Sequence, residues 1–383
     1  MKDKKTFLVE YDQIILFIIV ILTLFGLFIQ LNIGSSLGDN RQMNFFLNQL
    51  KWVMLSILPF ILIIRLSKVT DYMYKLSFVA LIFLIVLLIM VLVRGVSIQG
   101  GTRWIRLFGL TIQPSTFAHP ILILFFAKYL DKKKDIIRNT GLWGFIKNFW
   151  FLIFVTAIVF ILIALGRHLS TLIVLGTTLF SMLFIAEFKQ SMIIIIILSL
   201  GIFLFAYISG GAAYRLNRIE IYSKYSLFLK ALGMQRSEIT ADAYQVRESL
   251  TALSSGGLTG TGISRGRAKH KYLPDINSDY VFSLIGEQFG FIGSFIVMLL
   301  YCVFIVRVFL ISYYSDSFFK RMLVYGFGAN IFITVLVNVG VSISALPSTG
   351  LPLPFISYGG SYLLTSLVMV AVILNVSSKR KTV

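Results

Sequence analysis

Long apolar runs separated by short polar segments dominate this chain. A helix needs about 20 consecutive apolar residues to cross the hydrocarbon core of a bilayer. Along the sequence, this length predicts ten membrane-spanning helices and one long polar insert at 210–280, between the seventh and eighth helices. The predicted spans are 12–33, 45–66, 73–94, 113–130, 149–166, 169–187, 191–209, 281–311, 319–346 and 356–377. The pattern therefore predicts an all-α integral membrane protein with a single polytopic domain over 1–383.

Proline and glycine modify two of these spans. Pro114 and Pro120 lie in the first turns of the fourth span, where a missing backbone donor costs least. The run 281–311 contains Gly286, Gly290 and Gly293. It is compatible with one span or with a span plus a re-entrant piece.

Composition agrees with the bilayer as solvent. Hydrophobic residues make up 57% of the 383 residues and charged residues only 13%, against about a quarter charged in an ordinary soluble domain. The formal charge of +19 is divided among short blocks between apolar runs, which favours anionic lipid over nucleic acid as the partner. Cys302 is the single cysteine, which excludes a disulfide framework and a cysteine-based metal site.

Lysine and arginine in the short loops predict the orientation, because they accumulate on the cytoplasmic side. The chain begins with Lys2, Lys4 and Lys5 before an apolar run that lacks a small-residue cleavage site, so we interpret that run as a retained first helix. With ten helices, both termini are predicted in the cytoplasm and the protein in the cytoplasmic (inner) membrane. The basic inner segments are 2–5, 65–75, 128–147, 320–321 and 379–381.

Two outer segments, 94–106 and 210–280, are basic and break this rule. The second holds ten Lys or Arg against six Asp or Glu. Long loops cross a membrane regardless of charge, so this is compatible with a tolerated exception. The interpretation that we favour is an electropositive external cleft that attracts an anionic lipid head group.

Asp279 is the acidic residue best placed for chemistry, at the membrane border directly before an apolar run. Its spacing alone is compatible with a helix N-terminal cap or with a general base held ionised beside basic residues. Glu287 follows eight residues later, about two helical turns, and so falls on the same face. An acid inside a membrane helix is costly and usually faces the protein interior.

Other patterns help to define a cleft and exclude two site classes. Prolines 347, 352 and 354 before Gly359 and Gly360 predict rigid, non-helical backbone, which is tolerated at membrane depth only beside protein or water. His168 and Ser170 lack the nucleophile elbow that a hydrolase triad requires. The glycines at 256–262 lack the Lys-Ser/Thr pair of a phosphate-binding loop, so no nucleotide is predicted.

Several stretches together resemble the SEDS peptidoglycan glycosyltransferases, the FtsW/RodA/SpoVE group. The family's order and spacing are kept over most of the chain, including the helix count and the long outer loop. The matching stretches are GTRWI through QPS (101–115), YQ through SSGGLTG (244–260), KYLP through SDYVF (271–282), IGEQFGFIG (285–293), NVGV through LP (338–347) and GLPLPFISYGGS (350–361).

The resemblance implies an enzyme that polymerises lipid II into glycan strands at the outer face of the cytoplasmic membrane. It also implies a class B penicillin-binding protein as the transpeptidase partner, within the division or elongation machinery; the KHKYLP stretch at 269–274 favours an FtsW-like division role. Asp279 matches the family's essential loop aspartate, and a divalent cation, Mg or Mn, is compatible with that position. The resemblance places Arg103, Trp104, Lys269, Lys271, Glu287 and Ser361 around the same substrate cleft.

The chain departs from the family pattern at two places. Thr116 and His119 replace a glutamate and a lysine, which suggests that a structural ion pair has been neutralised. Arg167 and His168 stand where many members have proline and aspartate, so no role of that aspartate transfers to this chain. Two other functions remain open: a lipid II flippase without polymerase activity, and a polymerase of a different lipid-linked sugar.

Overall fold

The computed structural model describes residues 7–35, 40–98, 101–107, 110–137, 141–189, 241–263, 266 and 276–382. Helices dominate these residues. The helices are α1 Gln13–Ser35, α2 Asn40–Arg65, α3 Val69–Arg94, α4 Pro114–Lys132, α5 Lys134–Ile137, α6 Leu142–Leu165, α7 Leu169–Ile185, α8 Ala241–Ser255, α9 Val281–Tyr313, α10 Phe318–Ser342 and α11 Gly360–Ser377. The strands are β1 Phe7–Glu10, β2 Val96–Ile98, β3 Gly101–Leu107, β4 Leu110–Ile112 and β5 Lys379–Thr382.

The predicted multi-pass membrane architecture is confirmed. Within the described residues, seven helices are long and apolar enough to cross a membrane: α1, α2, α3, α6, α9, α10 and α11. Two further predicted spans coincide with α4 and with the shorter apolar α7. The tenth predicted span, 191–209, lies outside the described residues, so the count of ten stays a prediction.

Helices α10 and α11 form the centre of the bundle, whereas α2, α3, α6 and α9 expose large apolar side chains around it. In a bilayer this outward apolar surface is solvated by lipid tails. Glycine permits close packing at the centre: a Cβ on Gly360 would lie 2.0 Å from Nε1 of Trp52 on α2. A larger residue there would separate α11 from α2.

The two predicted outer segments have structure of their own. Strands β2, β3 and β4 pair antiparallel within 96–112, where the chain is too short and too polar to cross the membrane. The long insert contains α8, which packs against α9. Neither the sheet nor α8 was predicted from the apolar pattern, which detects spans and not short interfacial elements.

Helix α9 is one element interrupted at Gly290, whose φ of +66° is non-helical. Backbone from the outer loop inserts at the break: the amide of Phe291 donates to the carbonyl of Gly257, at 2.9 Å, and the amide of Thr261 donates to that of Glu287, also at 2.9 Å. These bonds replace helical ones that the break leaves open. The alternative of a re-entrant piece is therefore resolved as a kinked helix joined to the loop.

Asp12 joins α1, α9 and α11 at the end of the bundle that lies away from the outer loop. Its carboxylate accepts hydrogen bonds from the amide of Ile15 at the start of α1, at 3.0 Å, and from Nε of Arg307 on α9, at 3.0 Å. Its own amide donates to Oγ of Ser377 at the end of α11. Strands β1 and β5 pair antiparallel at this end, so Phe7–Glu10 and Lys379–Thr382 lie side by side.

Candidate active site

Asp279 lies in the turn 276–280 immediately before α9 and is half-buried. Tyr280, and not Asp279, occupies the N-cap position of α9. The interpretation of Asp279 as a simple helix cap is therefore wrong. A half-buried carboxylate at a membrane border keeps access to a substrate while its surroundings restrict its orientation.

Three successive backbone carbonyls hold this turn in place, each bonded to a different part of the fold. The carbonyl of Asn277 accepts from the amide of Tyr358, at 2.7 Å, and from Nε2 of Gln30 on α1. The carbonyl of Ser278 accepts from Oγ of Ser357, at 2.6 Å. The carbonyl of Asp279 accepts from Nδ2 of Asn338 on α10, at 3.0 Å. The backbone that carries the carboxylate is thus fixed from α1, α10 and the segment before α11.

The α10–α11 connection faces the carboxylate. Gly350 adopts a left-handed conformation, with φ of +74°, and a Cβ built on it would lie 3.7 Å from Oδ2 of Asp279. The buried hydroxyl of Tyr301 donates to the carbonyl of Pro354, and Phe355 is held at φ of +69°. The proline-rich segment is non-helical, as predicted, and forms one wall beside Asp279.

Arg103 and Trp104 lie on β3 in the first outer segment. Val96 pairs with Trp104 while Ser97 pairs with Thr102, so Arg103 is the extra residue of a β-bulge. A bulge redirects a side chain relative to the regular alternation of a strand. The guanidinium of Arg103 donates from Nη2 to the carbonyl of Arg167, at 2.5 Å.

His168, the residue after Arg167, contacts both the start of α4 and the first turn of α7. Its Nδ1 lies 2.9 Å from Oγ of Ser115, 2.8 Å from Oγ1 of Thr171 and 3.3 Å from Nε2 of Gln113. The ring is buried, between the spans α6 and α7. Burial, with smaller contributions from Arg103 and His119, lowers the pKa of His168 to about 3, so the imidazole is neutral at physiological pH.

Ser361 and Glu287, the remaining predicted site residues that the structure describes, lie at two different places. Ser361 is buried at the start of α11, where its Oγ accepts from the amide of Gln113, at 3.0 Å. Glu287 is buried on α9, and its Oε2 would lie 2.8 Å from a Cβ on Gly266 of the outer loop. Asp279 and Glu287 therefore face different segments of the chain. Lys269 and Lys271 lie outside the described residues.

In the described part of the chain, no three His, Cys, Asp or Glu side chains cluster. These residues therefore provide no complete set of side-chain ligands for a divalent cation. Asp279 fits a cation held by one carboxylate together with oxygens of a bound phosphate, the usual arrangement for Mg²⁺. Any such cation would therefore depend on the substrate for most of its ligands.

Thr116 and His119, which depart from the family pattern, belong to neutral contacts. Oγ1 of Thr116 donates to the carbonyl of Gln113 in the first turn of α4. Nδ2 of Asn330 on α10 lies 3.0 Å from Nδ1 of the buried His119 and donates to Oγ1 of Thr178, at 3.1 Å. The hypothesis of a neutralised ion pair agrees with these uncharged partners.

Comparison with known proteins decides the family. The profile of the FtsW/RodA/SpoVE family, described as cell cycle proteins, matches residues 12–382. The chain belongs to the FtsW/RodA/SpoVE family. The resemblance inferred from the sequence is thus confirmed.

Curated relatives of this family carry the name probable peptidoglycan glycosyltransferase FtsW. The protein of Wigglesworthia glossinidia brevipalpis is 31% identical, over 95% of this chain and 92% of its own length. That of Trichlorobacter lovleyi is also 31% identical, over 98% of this chain and 95% of its own length. The matched regions span nearly the whole of both proteins.

Solved structures of the family share the fold. One, reported under "Structural coordination of polymerization and crosslinking by a peptidoglycan synthase complex", superposes with a TM-score of 0.76 at 24% identity, over 96% of this chain and 97% of that chain. The rod shape determining protein RodA of Thermus thermophilus superposes with a TM-score of 0.66 at 24% identity, over 96% of both chains. The predicted fold class is confirmed.

Sequence reasoning missed the residues that hold the site in this family fold. Asn338, Ser357 and His168 make contacts that fix the turn and the start of α4. The sequence marked Asn338 and Ser357 only as members of motifs, and His168 without any positioning role. A detectable signal existed: each is polar within or beside an apolar run, where an unsatisfied polar group is costly. Their partners are distant in sequence and could not be assigned from spacing.

Proposed function

We propose that this chain is a peptidoglycan glycosyltransferase that polymerises lipid II at the outer face of the cytoplasmic membrane, with Asp279 as general base. The observation that carries the proposal is the turn 276–280, whose three consecutive carbonyls are held by Asn338, Ser357 and Tyr358. Preorganisation of this kind is what a base needs to meet its proton at a fixed distance. The names of the curated relatives give the same activity.

The reaction joins two lipid-linked sugars. Asp279 removes the proton from the attacking sugar hydroxyl as its oxygen bonds to the anomeric carbon of the second substrate. The bond from that carbon to the pyrophosphate oxygen breaks, and the leaving group departs as an anion. Asp279 retains the proton until it passes to water. Each cycle lengthens the glycan by one unit and releases one polyprenyl pyrophosphate.

The departing pyrophosphate needs positive charge nearby. Arg103 lies in a bulged strand of the first outer segment, and ten Lys or Arg occupy 210–280. We assign Arg103, with Lys269 and Lys271, to the diphosphate, and Trp104 to the face of a sugar or prenyl group. Mg²⁺ or Mn²⁺ would neutralise diphosphate charge when bound.

The biological setting follows from the same proposal. With Asp279 outside, the opposite end of α9 and both chain termini lie in the cytoplasm of an inner-membrane protein. A class B penicillin-binding protein would crosslink the strand as it leaves, within the division machinery. The FtsW name of the curated relatives supports division over elongation.

The test is polymerisation of labelled lipid II by the purified full-length protein, with and without the penicillin-binding partner. Asp279→Asn keeps the shape of the side chain but removes the base, so it should abolish the glycan ladder. Asp316→Asn is the matched control, because this exposed carboxylate follows α9 at the far end of the same helix. It should polymerise like the wild type.

Two results would contradict the proposal. Polymer formed equally well by Asp279→Asn would remove Asp279 from the chemistry. Transfer of lipid II across vesicle bilayers without any polymer would identify a transporter in its place. Polymer from another lipid-linked sugar, but not from lipid II, would retain the reaction and change the substrate.

A further inference from the structure

We propose that His168 is a positioning residue that holds Arg103, Ser361 and the wall facing Asp279 in register for the lipid-linked substrate. The proposal rests on the proposed function and adds a residue that touches no reacting atom. His168 lies at the junction of α6 and α7, where it is the N-cap residue of α7. It is 5% exposed.

His168 links the start of α4 to the first turn of α7. Ser115 and Gln113 approach Nδ1 from the start of α4, and Thr171 approaches from the first turn of α7. The side-chain nitrogen of Gln113 can only donate a hydrogen bond. This fits a His168 ring whose Nδ1 is unprotonated and whose proton is on its own Nε2. A neutral acceptor at this point therefore ties the start of α4 to α7.

The first link runs to Arg103. Arg167, the residue before His168, is held in the left-handed region with φ of +59°, which is uncommon for a residue with a Cβ. This conformation presents the carbonyl that accepts from Nη2 of Arg103, at 2.5 Å. The strain is maintained because His168 is fixed on its other side, so the imidazole sets where the guanidinium rests.

A second link runs to Ser361. Gln113 contacts His168 through its side chain and Oγ of Ser361 through its backbone amide, at 3.0 Å. The third link runs to the Asp279 wall: the hydroxyl of Ser170 donates to the carbonyl of Thr349, the residue before Gly350. His168 is thus a short chain of contacts away from three predicted site residues.

Lipid II binding tests this arrangement when turnover is removed by Asp279→Asn. In that background, His168→Leu removes the acceptor, whereas His168→Asn retains an oxygen near the position of Nδ1. We expect His168→Leu to weaken binding about tenfold. His168→Asn should bind within about threefold of its parent. If His168 acts through Arg103, then Arg103→Ala should weaken binding similarly and the double variant no further.

A second measurement does not depend on the substrate. Amide hydrogen exchange on the substrate-free protein should rise in 103–106 and 276–280 for His168→Leu and stay at the wild-type level for His168→Asn. If the wild type makes no polymer but the two variants show this exchange pattern, the proposed function fails and the positioning role stands. Thr171→Val and Ser115→Ala, which each remove one contact, replace His168→Leu if that variant does not fold.

Three outcomes would overturn the proposal. One is parent-level binding by His168→Leu. Another is additive losses in the double variant with Arg103→Ala, which would make His168 an independent structural residue. The last is a His168→Asn variant that loses binding and exchange protection as His168→Leu does, because the contacts around His168 would then not depend on an acceptor at this position.

Discussion

Asn338 on α10 donates from one side-chain nitrogen to the backbone carbonyl of Asp279, at 3.0 Å, and to that of Leu351, at 2.7 Å. A single amide in a largely buried central helix therefore contacts both the turn before α9 and the connection before α11. The turn carries the carboxylate and the connection carries Gly350, which faces it. Asn338 therefore contacts both walls, in addition to the bonds that Ser357 and Tyr358 make to the same turn.

Asn338→Ala should lower the kcat of polymerisation by more than its loss of folding stability alone would explain. It leaves two carbonyl acceptors without their donor, at about 1–3 kcal/mol each when buried, and releases the backbone that aims Asp279. We expect kcat to fall about tenfold or more, since each 1.4 kcal/mol of lost transition-state stabilisation is a factor of ten. Initial rates with labelled lipid II and melting temperature in detergent measure the two effects.

Asn375→Ala is the matched control. Asn375 on α11 also donates to backbone carbonyls, those of Ile63, Ile64 and Leu66, but at the opposite end of its helix from the site. It should lose comparable stability and keep its kcat. An equal loss of kcat in both variants would mean that bundle stability, and not the orientation of Asp279, controls the rate.

Gly260 and Gly262 separate backbone packing from backbone strain in the loop that joins α9. Both have positive φ, +87° and +86°, but a Cβ on Gly260 would lie 2.1 Å from the carbonyl oxygen of Gln288, whereas a Cβ on Gly262 meets nothing within 4 Å. Gly262→Ala should cost about 1 kcal/mol of strain. Gly260→Ala should lower the melting temperature much further, because the loop must leave α9.

The apolar pattern predicts which segments cross the membrane because each crossing has to satisfy the same bilayer thickness. It does not predict which spans are central. Helices α3 and α10 are both apolar enough to span, yet α10 is buried on most of its surface and α3 mainly faces lipid. Lipid and protein interior are similarly apolar, so hydropathy alone cannot separate the two environments.

The candidate site was predictable only where a costly residue revealed it. Asp279 could be found because a carboxylate beside an apolar run is costly at membrane depth and is therefore rarely present without a function. The sequence drew attention to His168 only as part of a rejected hydrolase triad and as a departure from the family pattern, since its partners Gln113 and Ser115 are more than 50 positions away. The bulge at Arg103 depends on pairing register, which the short, irregular strand sequences do not reveal.

Thr116 and His119 provide a test of charge at the start of α4. Thr116→Glu or His119→Lys alone would bury a charge beside neutral partners, at a cost of about 3–5 kcal/mol when unpaired. The two positions are three residues apart on one helix, so the double variant brings the charges within reach of each other. We expect each single variant to express poorly and the double variant to recover part of the melting temperature. Additive losses would contradict this pairing.

Acid should destabilise the protein through His168 in a defined pH range. The pKa of His168 is about 3 in the folded protein, against about 6.5 in an unfolded chain. Between these values the unfolded state binds a proton that the folded state does not, so the contribution of His168 to the free energy of unfolding falls as pH decreases from about 6.5 towards 3 and is constant above about pH 7.5. His168→Asn lacks this titration.

Below pH 6.5 the wild-type melting temperature should therefore fall faster than that of the His168→Asn variant, by about 2 °C per pH unit. Thermal unfolding in detergent at pH 7.5, 6.0 and 5.0 measures the difference, in which the titrations of all other groups cancel. Parallel curves would mean that His168 is already exposed to protons in the folded state, and its place as a neutral acceptor at the junction of α6 and α7 would have to be abandoned.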